Sequence, residues 1–128
     1  MAKNIYFKTG VCYSRDEIFV KLGGSKQSYL PMKDGRVLYG AFRKDLNPDA
    51  PRIILPGKGS IIENSAYTFA RQRNPIPVFI KHGRNKWKYV GEFLVNRLVT
   101  KDMDVIEEHK RKSKRTDISM VLHLQGAG

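Results

Sequence analysis

Little in this sequence can be held together covalently. It has one cysteine, Cys12, so no intrachain disulfide can form and no Cys/His zinc finger can be assembled. A single cysteine fits a reducing compartment, and a cytoplasmic protein is expected. Cys12 has no histidine or other base beside it in sequence, which points to a small buried hydrophobe rather than a nucleophile. No apolar run approaches the roughly 20 residues that span a bilayer, and the N-terminal MAKNIYFKTG lacks a signal-peptide core. A basic amphipathic helix with a continuous apolar face, the mark of a peripheral membrane protein, is missing as well. No membrane partner is therefore expected. No internal repeat and no low-complexity linker is visible, and Gly126-Ala127-Gly128 reads as a frayed end.

Acidic residues are the next scarcity. Twelve Asp and Glu stand against 24 Lys and Arg, a formal charge of +12 with a pI near 10.0. So basic a chain attracts polyanions, nucleic acid first among them. Its 128 residues, 41% hydrophobic, suffice for one domain, residues 1–128, with a core of its own.

The order of elements is legible from caps, turns and periodicity. Residues 4–7 read as a short strand. Ser14 and Glu17 form a capping box for a first helix with Ile18, Phe19 and Leu22 on its apolar side, and Gly23-Gly24 stops it. A polar loop over 25–29 leads to Pro31, and 33–36 is a turn. Residues 37–42 read as a strand. The stretch 44–51 (KDLNPDAP) cannot be a helix because of its two prolines, and 52–55 is a short buried strand. A tight turn at 56–59 precedes a second capping box, Ser60 to Glu63. The helix behind it runs to about Arg73, with Ile62, Ala66, Phe69 and Ala70 on its apolar side, and ends at Asn74-Pro75. Residues 77–81 and 87–99 form a hairpin across a loop at 82–85. Asp102 caps a third helix ending at Lys110-Arg111-Lys112, and 118–124 is a last strand. The expected fold is α+β: a curved, mostly antiparallel sheet or partial β-barrel with about three helices packed outside.

Several residues could carry recognition chemistry. The turn Gly57-Lys58-Gly59-Ser60 opens a helix, so free amides, the helix dipole and Lys58 converge where a phosphate could sit, with Ser60 beside it. The spacing is not that of a P-loop, which excludes nucleotide hydrolysis through that motif. The hairpin end places Lys81, His82, Arg84, Asn85, Lys86 and Lys88 around Trp87, cations for phosphates and an aromatic face for stacking. The plainer alternative is a solvated hairpin tip with Trp87 folded into the core. Arg71 and Arg73 compensate the dipole at the end of the second helix and can join a basic face. Residues 110–115 read first as a solvated face, with Glu108 and Lys112 an i,i+4 pair, and second as phosphate contacts. In the acidic loop, Asp45 and Asn47 could accept from a base amino group, with Tyr29, Tyr39 and Trp87 as aromatics above and below; ordinary loop turns and core tyrosines are the alternative.

Catalysis has little support. Glu108-His109-Lys110 and Pro48-Asp49 fit two halves of a restriction-type nuclease motif, but both are short and far apart. His82, His109 and His123 show no metal-ligand spacing and no nucleophile partner. Neither a catalytic residue, a metal nor a cofactor is expected. A small metal-dependent nuclease using Asp49, Glu108 and Lys110 is the enzymatic alternative.

Together these features resemble a known group. Tyr13-Ser14-Arg15 before a helix, Leu22-Gly23-Gly24, Tyr29-Leu30-Pro31, Asn47-Pro48, Ile54-Leu55-Pro56-Gly57, the helix over 66–72, and Ile76-Pro77-Val78-Phe79 ahead of Trp87-Lys88-Tyr89-Val90-Gly91-Glu92-Phe93 are similar to PUA-like domains. Within that group they resemble the SRA-like and EVE-like modules of modification-dependent restriction enzymes. The resemblance covers roughly residues 13–98. It implies a curved sheet around a pocket for a flipped base, reading a modified base in DNA. Cutting would be left to a separate nuclease domain or subunit. PUA-like domains serve RNA as readily, so an RNA-binding protein is the other alternative, with DNA favoured.

Overall fold

The aromatic and β-branched run that starts at Trp87 becomes the spine of the molecule. The computed structural model describes residues 6–127. Within them the chain forms β1 (Cys12–Tyr13), α1 (Arg15–Leu22), β2 (Met32–Lys33), β3 (Arg36–Val37), β4 (Gly40–Phe42), β5 (Ile53–Ile54), α2 (Ser60–Arg71), β6 (Ile76–Gly83), β7 (Lys86–Val99), α3 (Met103–Ser113) and β8 (Val121–Gly126). Six strands make one sheet in the order β4-β6-β7-β8-β5, with β1 added to β7, while β2 and β3 form a separate two-stranded hairpin. Only β4 and β6 run parallel; every other pair is antiparallel. The fold is α+β with three helices, and its sheet is not closed into a barrel.

At 14 residues β7 outruns any single partner. It pairs with β6 from Lys86 to Phe93, with β1 at Trp87 and Lys88, and with β8 from Phe93 to Val99. Two register shifts bend it. One leaves Val90 unmatched beside Gly91, whose φ of 120° suits only glycine, and the other does the same to Asn96. Such bulges kink a strand and increase its twist, which lets one strand serve two parts of the sheet.

Strand alternation then divides the core. Val78 and Ile80 face the main cluster with Phe42, Ile54, Ala66, Phe69 and Leu122. Phe79, Trp87 and Tyr89 face the opposite cluster with Phe7, Ile18, Tyr39 and Ala41. Ile106 of α3 closes a third cluster with Leu55, Val99, Ile118 and Val121. No helix among the described residues is long and apolar enough to cross a membrane.

Local signals held where backbone alone decided them. The Ser14–Glu17 capping box forms in both directions, and Asp102 caps α3 by accepting from the Val105 amide. The second box does not form. Gly59 is the N-cap of α2, and Glu63 accepts from the Gly59 amide at 3.2 Å, because Ser60 is already helical. The same helix stops at Arg71 rather than Arg73. Gln72 turns extended and its side-chain amide bonds both backbone groups of Val37, at 2.9 and 3.0 Å.

Other expectations need correction. The strand expected over 37–42 is split by Leu38 and Tyr39 into β3 and β4, and the last strand begins three residues and ends two residues later than expected, at Val121–Gly126. His82 and Gly83 belong to β6, which shortens the hairpin turn to Arg84 and Asn85. Gly126 is paired with Phe93 and the Ala127 amide donates to Glu92 at 2.8 Å, so those two residues are held by the sheet; Gly128 lies outside the described residues. Cys12 is exposed, since on this two-residue strand Tyr13 takes the inward position. Phe19 is also largely exposed, with the Lys26 ammonium 5.0 Å from its ring. Of the strand expected over 4–7, residues 4 and 5 lie outside the described residues, and Tyr6 and Phe7 are not in a strand.

Candidate nucleic-acid interface

An open cleft of about 720 Å3 is walled by the start of α1 and the connection after it, the end of β4, the 46–57 connection, the first turns of α2, the hairpin end of β6 and β7, and the segment after α3. Tyr29 and Trp87 are its aromatic residues. Arg15, Lys26, Arg43, Lys81 and Arg115 bring positive charge to it, against the single carboxylate of Asp117. Its rim carries Leu46, Ile61 and Ile62, three large apolar side chains left exposed to solvent. An apolar and aromatic cleft edged by cations suits a ligand with a flat apolar body and negative charge.

The sheet determines how Trp87 enters. Trp87 lies directly across from Lys81 in the hairpin, so both point to one face, the face of Phe79 and Tyr89. The ring is 7% exposed, and the Arg15 guanidinium sits 5.1 Å and the Lys81 ammonium 5.8 Å from its centroid. It therefore belongs to the core and shows the cleft only a small part of its surface. Tyr39 is fully buried below. Its hydroxyl accepts from Arg15 Nε at 3.2 Å, and burial pushes its pKa up despite the guanidinium beside it. It contributes no surface of its own and supports Arg15.

Tyr29 is better placed to meet a ligand. It is half-buried on the cleft wall, its hydroxyl donates to the Ile62 carbonyl at 2.6 Å, and burial raises its pKa to about 12. Asn47 reaches the cleft but is occupied: Oδ1 accepts from the Leu55 amide at 2.8 Å and Nδ2 donates to the Arg43 carbonyl at 3.1 Å. Asp45 lies outside this cleft, on the surface, paired with Arg43 at 3.0 Å, and that hydrogen bond holds its carboxyl below the usual range. Of the five residues expected to make a base pocket, Tyr29, Asn47 and Trp87 thus border one cleft, with Tyr39 beneath it and Asp45 beside it.

The expected phosphate contacts do not gather in one place. Lys81 lines the cleft, and with Arg43, Lys44 and Arg84 it also lines a shallower depression next to it. Lys44 borders a further cleft with Arg52, Arg97 and His123, so a band of cations continues away from the hairpin. Burial first, then the charges of Arg97 and His109, holds the His123 pKa down. Lys86 and Lys88 alternate with Trp87 along β7 and so point to the opposite face. His82 is exposed, and Asn85 accepts from the Arg15 amide at 3.1 Å, tying the hairpin turn to α1. At the start of α2, Lys58 and Ser60 are exposed, but the Glu63 carboxylate already stands at the Gly59 amide. Arg71 and Arg73 border a separate depression with Leu94 and Asn96.

Two arginines carry more of this site than their sequence context showed. Arg15 looked like one residue of a capping box. Arg115 looked like the end of a solvated run, yet it clamps the cleft: Nη1 donates to the Leu46 and Leu55 carbonyls, both at 2.8 Å, and Nε to Asp117 at 3.0 Å. That hydrogen bond lowers the Asp117 pKa. Partners so distant in sequence leave no local signal. Glu108 and Lys110, by contrast, sit on α3 in ion pairs with Lys112 and Glu107, away from the cleft that Asp49 lines. No group of three or more His, Cys, Asp or Glu suited to a metal occurs among the described residues.

Comparison with known proteins adds a fold neighbour. The chain superposes on the type IV phosphorothioation-dependent restriction endonuclease ScoMcrA with a TM-score of 0.54 at 13% identity. The match covers 92% of this chain and 27% of that one, so the chain spans about a quarter of the enzyme's length. At this identity the likeness is one of fold. No curated protein matches the chain. A family model matches residues 12–123, and the chain accordingly belongs to the family described as Domain of unknown function (DUF6697).

Proposed function

We propose that this domain is a DNA-binding module that reads a modified or flipped base, as the specificity part of a restriction system. The observation that carries the reading is the cleft between Tyr29 and Trp87, with its exposed apolar rim and its surplus of cations. A base turned out of a duplex needs a cavity with aromatic and apolar walls, and its flanking phosphates need cations at the mouth. The band from Arg84 through Lys81, Lys44 and Arg52 to Arg97 supplies a path for the backbone.

Two further points support it. The fold neighbour is a modification-dependent restriction endonuclease that is much longer than this chain, as expected if a reader acts beside a separate nuclease. The resemblance of the Trp87–Phe93 segment to SRA-like modules points to the same use. In this reading the base lies against Tyr29 and the apolar rim, with Trp87 closing the end of the cleft, and no residue of the domain does chemistry.

An electrophoretic shift panel at fixed salt tests the proposal, with and without magnesium. Unmodified, 5-methylcytosine, 5-hydroxymethylcytosine, N6-methyladenine and phosphorothioate duplexes are compared with a structured RNA. Selective retention of one modified duplex without cleavage is the expected result. Retention of RNA alone, or cleavage in magnesium, overturns it.

A further inference from the structure

Arg15 is 8% exposed, yet no carboxylate pairs with it among the described residues. Its nearest acidic neighbours in sequence are spent elsewhere: Asp16 pairs with Lys26 at 2.9 Å and Glu17 accepts from the Ser14 amide at 2.8 Å. Three of its five N–H groups go to neutral oxygens. Nε donates to the Tyr39 hydroxyl, and Nη2 to the Ser25 and Ser28 carbonyls at 3.0 and 2.9 Å. Nη1 makes no hydrogen bond among the described residues, and no fully buried side-chain nitrogen or oxygen among them lacks a partner, so Nη1 is not sealed from solvent. A guanidinium removed from water without a counter-charge is costly unless something supplies one.

Lys81 repeats the pattern from the other side. It lines the same cleft, lies 5.8 Å from the centre of the same Trp87 ring, and takes part in no ion pair among the described residues. The remaining cations at the cleft are neutralised: Lys26 by Asp16, Arg43 by Asp45, and Arg115 by Asp117. Two cations without carboxylates among the described residues therefore line one cleft and flank one aromatic ring, one of them anchored by three hydrogen bonds before any ligand arrives. Preorganised, charge-assisted donors of this kind suit the oxygens of a phosphate.

We propose that Arg15 and Lys81 form a phosphate seat over Trp87, which holds the phosphate of a nucleotide whose base lies against Tyr29 and Ile62. This rests on the nucleic-acid reading and adds to it: the cleft recognises a nucleotide through its phosphate as well as its base. A single nucleoside monophosphate is then a sufficient ligand, and the volume of about 720 Å3 lies within the range of small-molecule sites.

Trp87 is the only tryptophan in the chain, so its emission reports the seat directly. The intact protein is titrated with thymidine 5′-monophosphate, thymidine and inorganic phosphate at constant ionic strength, with excitation at the red edge of tryptophan absorption. The monophosphate is expected to bind saturably and at least about tenfold more tightly than thymidine, the scale of one charge-assisted contact. Lys81→Ala, a change at an exposed side chain, weakens the monophosphate about tenfold and leaves thymidine unchanged. Arg15→Lys, checked for folding by circular dichroism, keeps the charge and loses the anchored fork, and weakens the monophosphate as well. Saturable binding of inorganic phosphate alone supports the seat and shows that it needs no base. Equal affinity for thymidine and its monophosphate, or an unchanged Lys81→Ala, overturns the seat. Duplex retention with no monophosphate response overturns the seat alone, whereas monophosphate binding with no retention of any duplex or RNA overturns the nucleic-acid reading and leaves the seat standing.

Discussion

The guanidinium of Arg15 lies 5.1 Å from the centre of the Trp87 ring, joining the first turn of α1 to the hairpin strand β7. That contact places the hairpin tryptophan in the core and sets the first prediction. Trp87 packs in the cluster of Phe7, Phe79 and Tyr89, so Trp87→Ala is expected to destabilise the fold by about 3–5 kcal/mol, as large aromatic truncations do. Denaturant unfolding followed by far-UV circular dichroism measures it. A loss below about 1 kcal/mol would mean the ring is free on the surface.

Binding should weaken steeply with salt. About five phosphate contacts along the band from Arg84 to Arg97 give a log–log slope near −4.5. Lys81→Ala is expected to flatten the slope by about 0.9, one contact's worth. A flat response in the unaltered protein would show that the cations do not track phosphates.

The two serine starts separate a real cap from an apparent one. Ser14 accepts from the Glu17 amide at 3.1 Å, so Ser14→Ala costs about 1 kcal/mol. Ser60 caps nothing, and Ser60→Ala changes stability by less than about 0.5 kcal/mol. Parallel urea titrations of the two variants decide this.

Arg115→Ala should loosen the floor of the cleft. It frees the Leu46 and Leu55 carbonyls and breaks the pair with Asp117, and hydrogen bonds to charged groups contribute about 1.5–3 kcal/mol each. A destabilisation of about 2–4 kcal/mol is expected, with faster amide exchange at Leu55. Lysine at this position cannot reach all three acceptors with one ammonium and restores little of it.

His123 gives the domain an acid limb. Its folded pKa lies below the ordinary 6.5, through burial and the nearby Arg97 and His109. The unfolded chain therefore takes up the proton first, and folding loses stability as pH falls. The contribution is complete above about pH 6.5 and is lost as pH falls through the folded value. His123→Gln should reduce the drop in melting temperature between pH 7 and pH 5, and an NMR titration should place the His123 midpoint below 6.5.

Local chemistry accounts for what could be read without a structure. Ser14, Glu17 and Asp102 marked helix starts because a cap depends on residues within one turn. The alternation after Trp87 marked the hairpin. These signals were enough for an α+β domain with three helices and a mostly antiparallel sheet. They misjudged Ser60, where the helix begins one residue earlier than the serine suggested, and Cys12, whose exposure depends on which face of a two-residue strand turns inward.

The cleft was decided by tertiary structure. Arg15, Tyr29, Lys81 and Arg115 are scattered over a hundred residues, and only the folded chain brings them to one cleft. Composition revealed that cations were plentiful. Which of them found carboxylates, and that Arg15 was buried without one among the described residues, followed only from packing, because an ion pair needs proximity in space and the chain records only proximity in sequence.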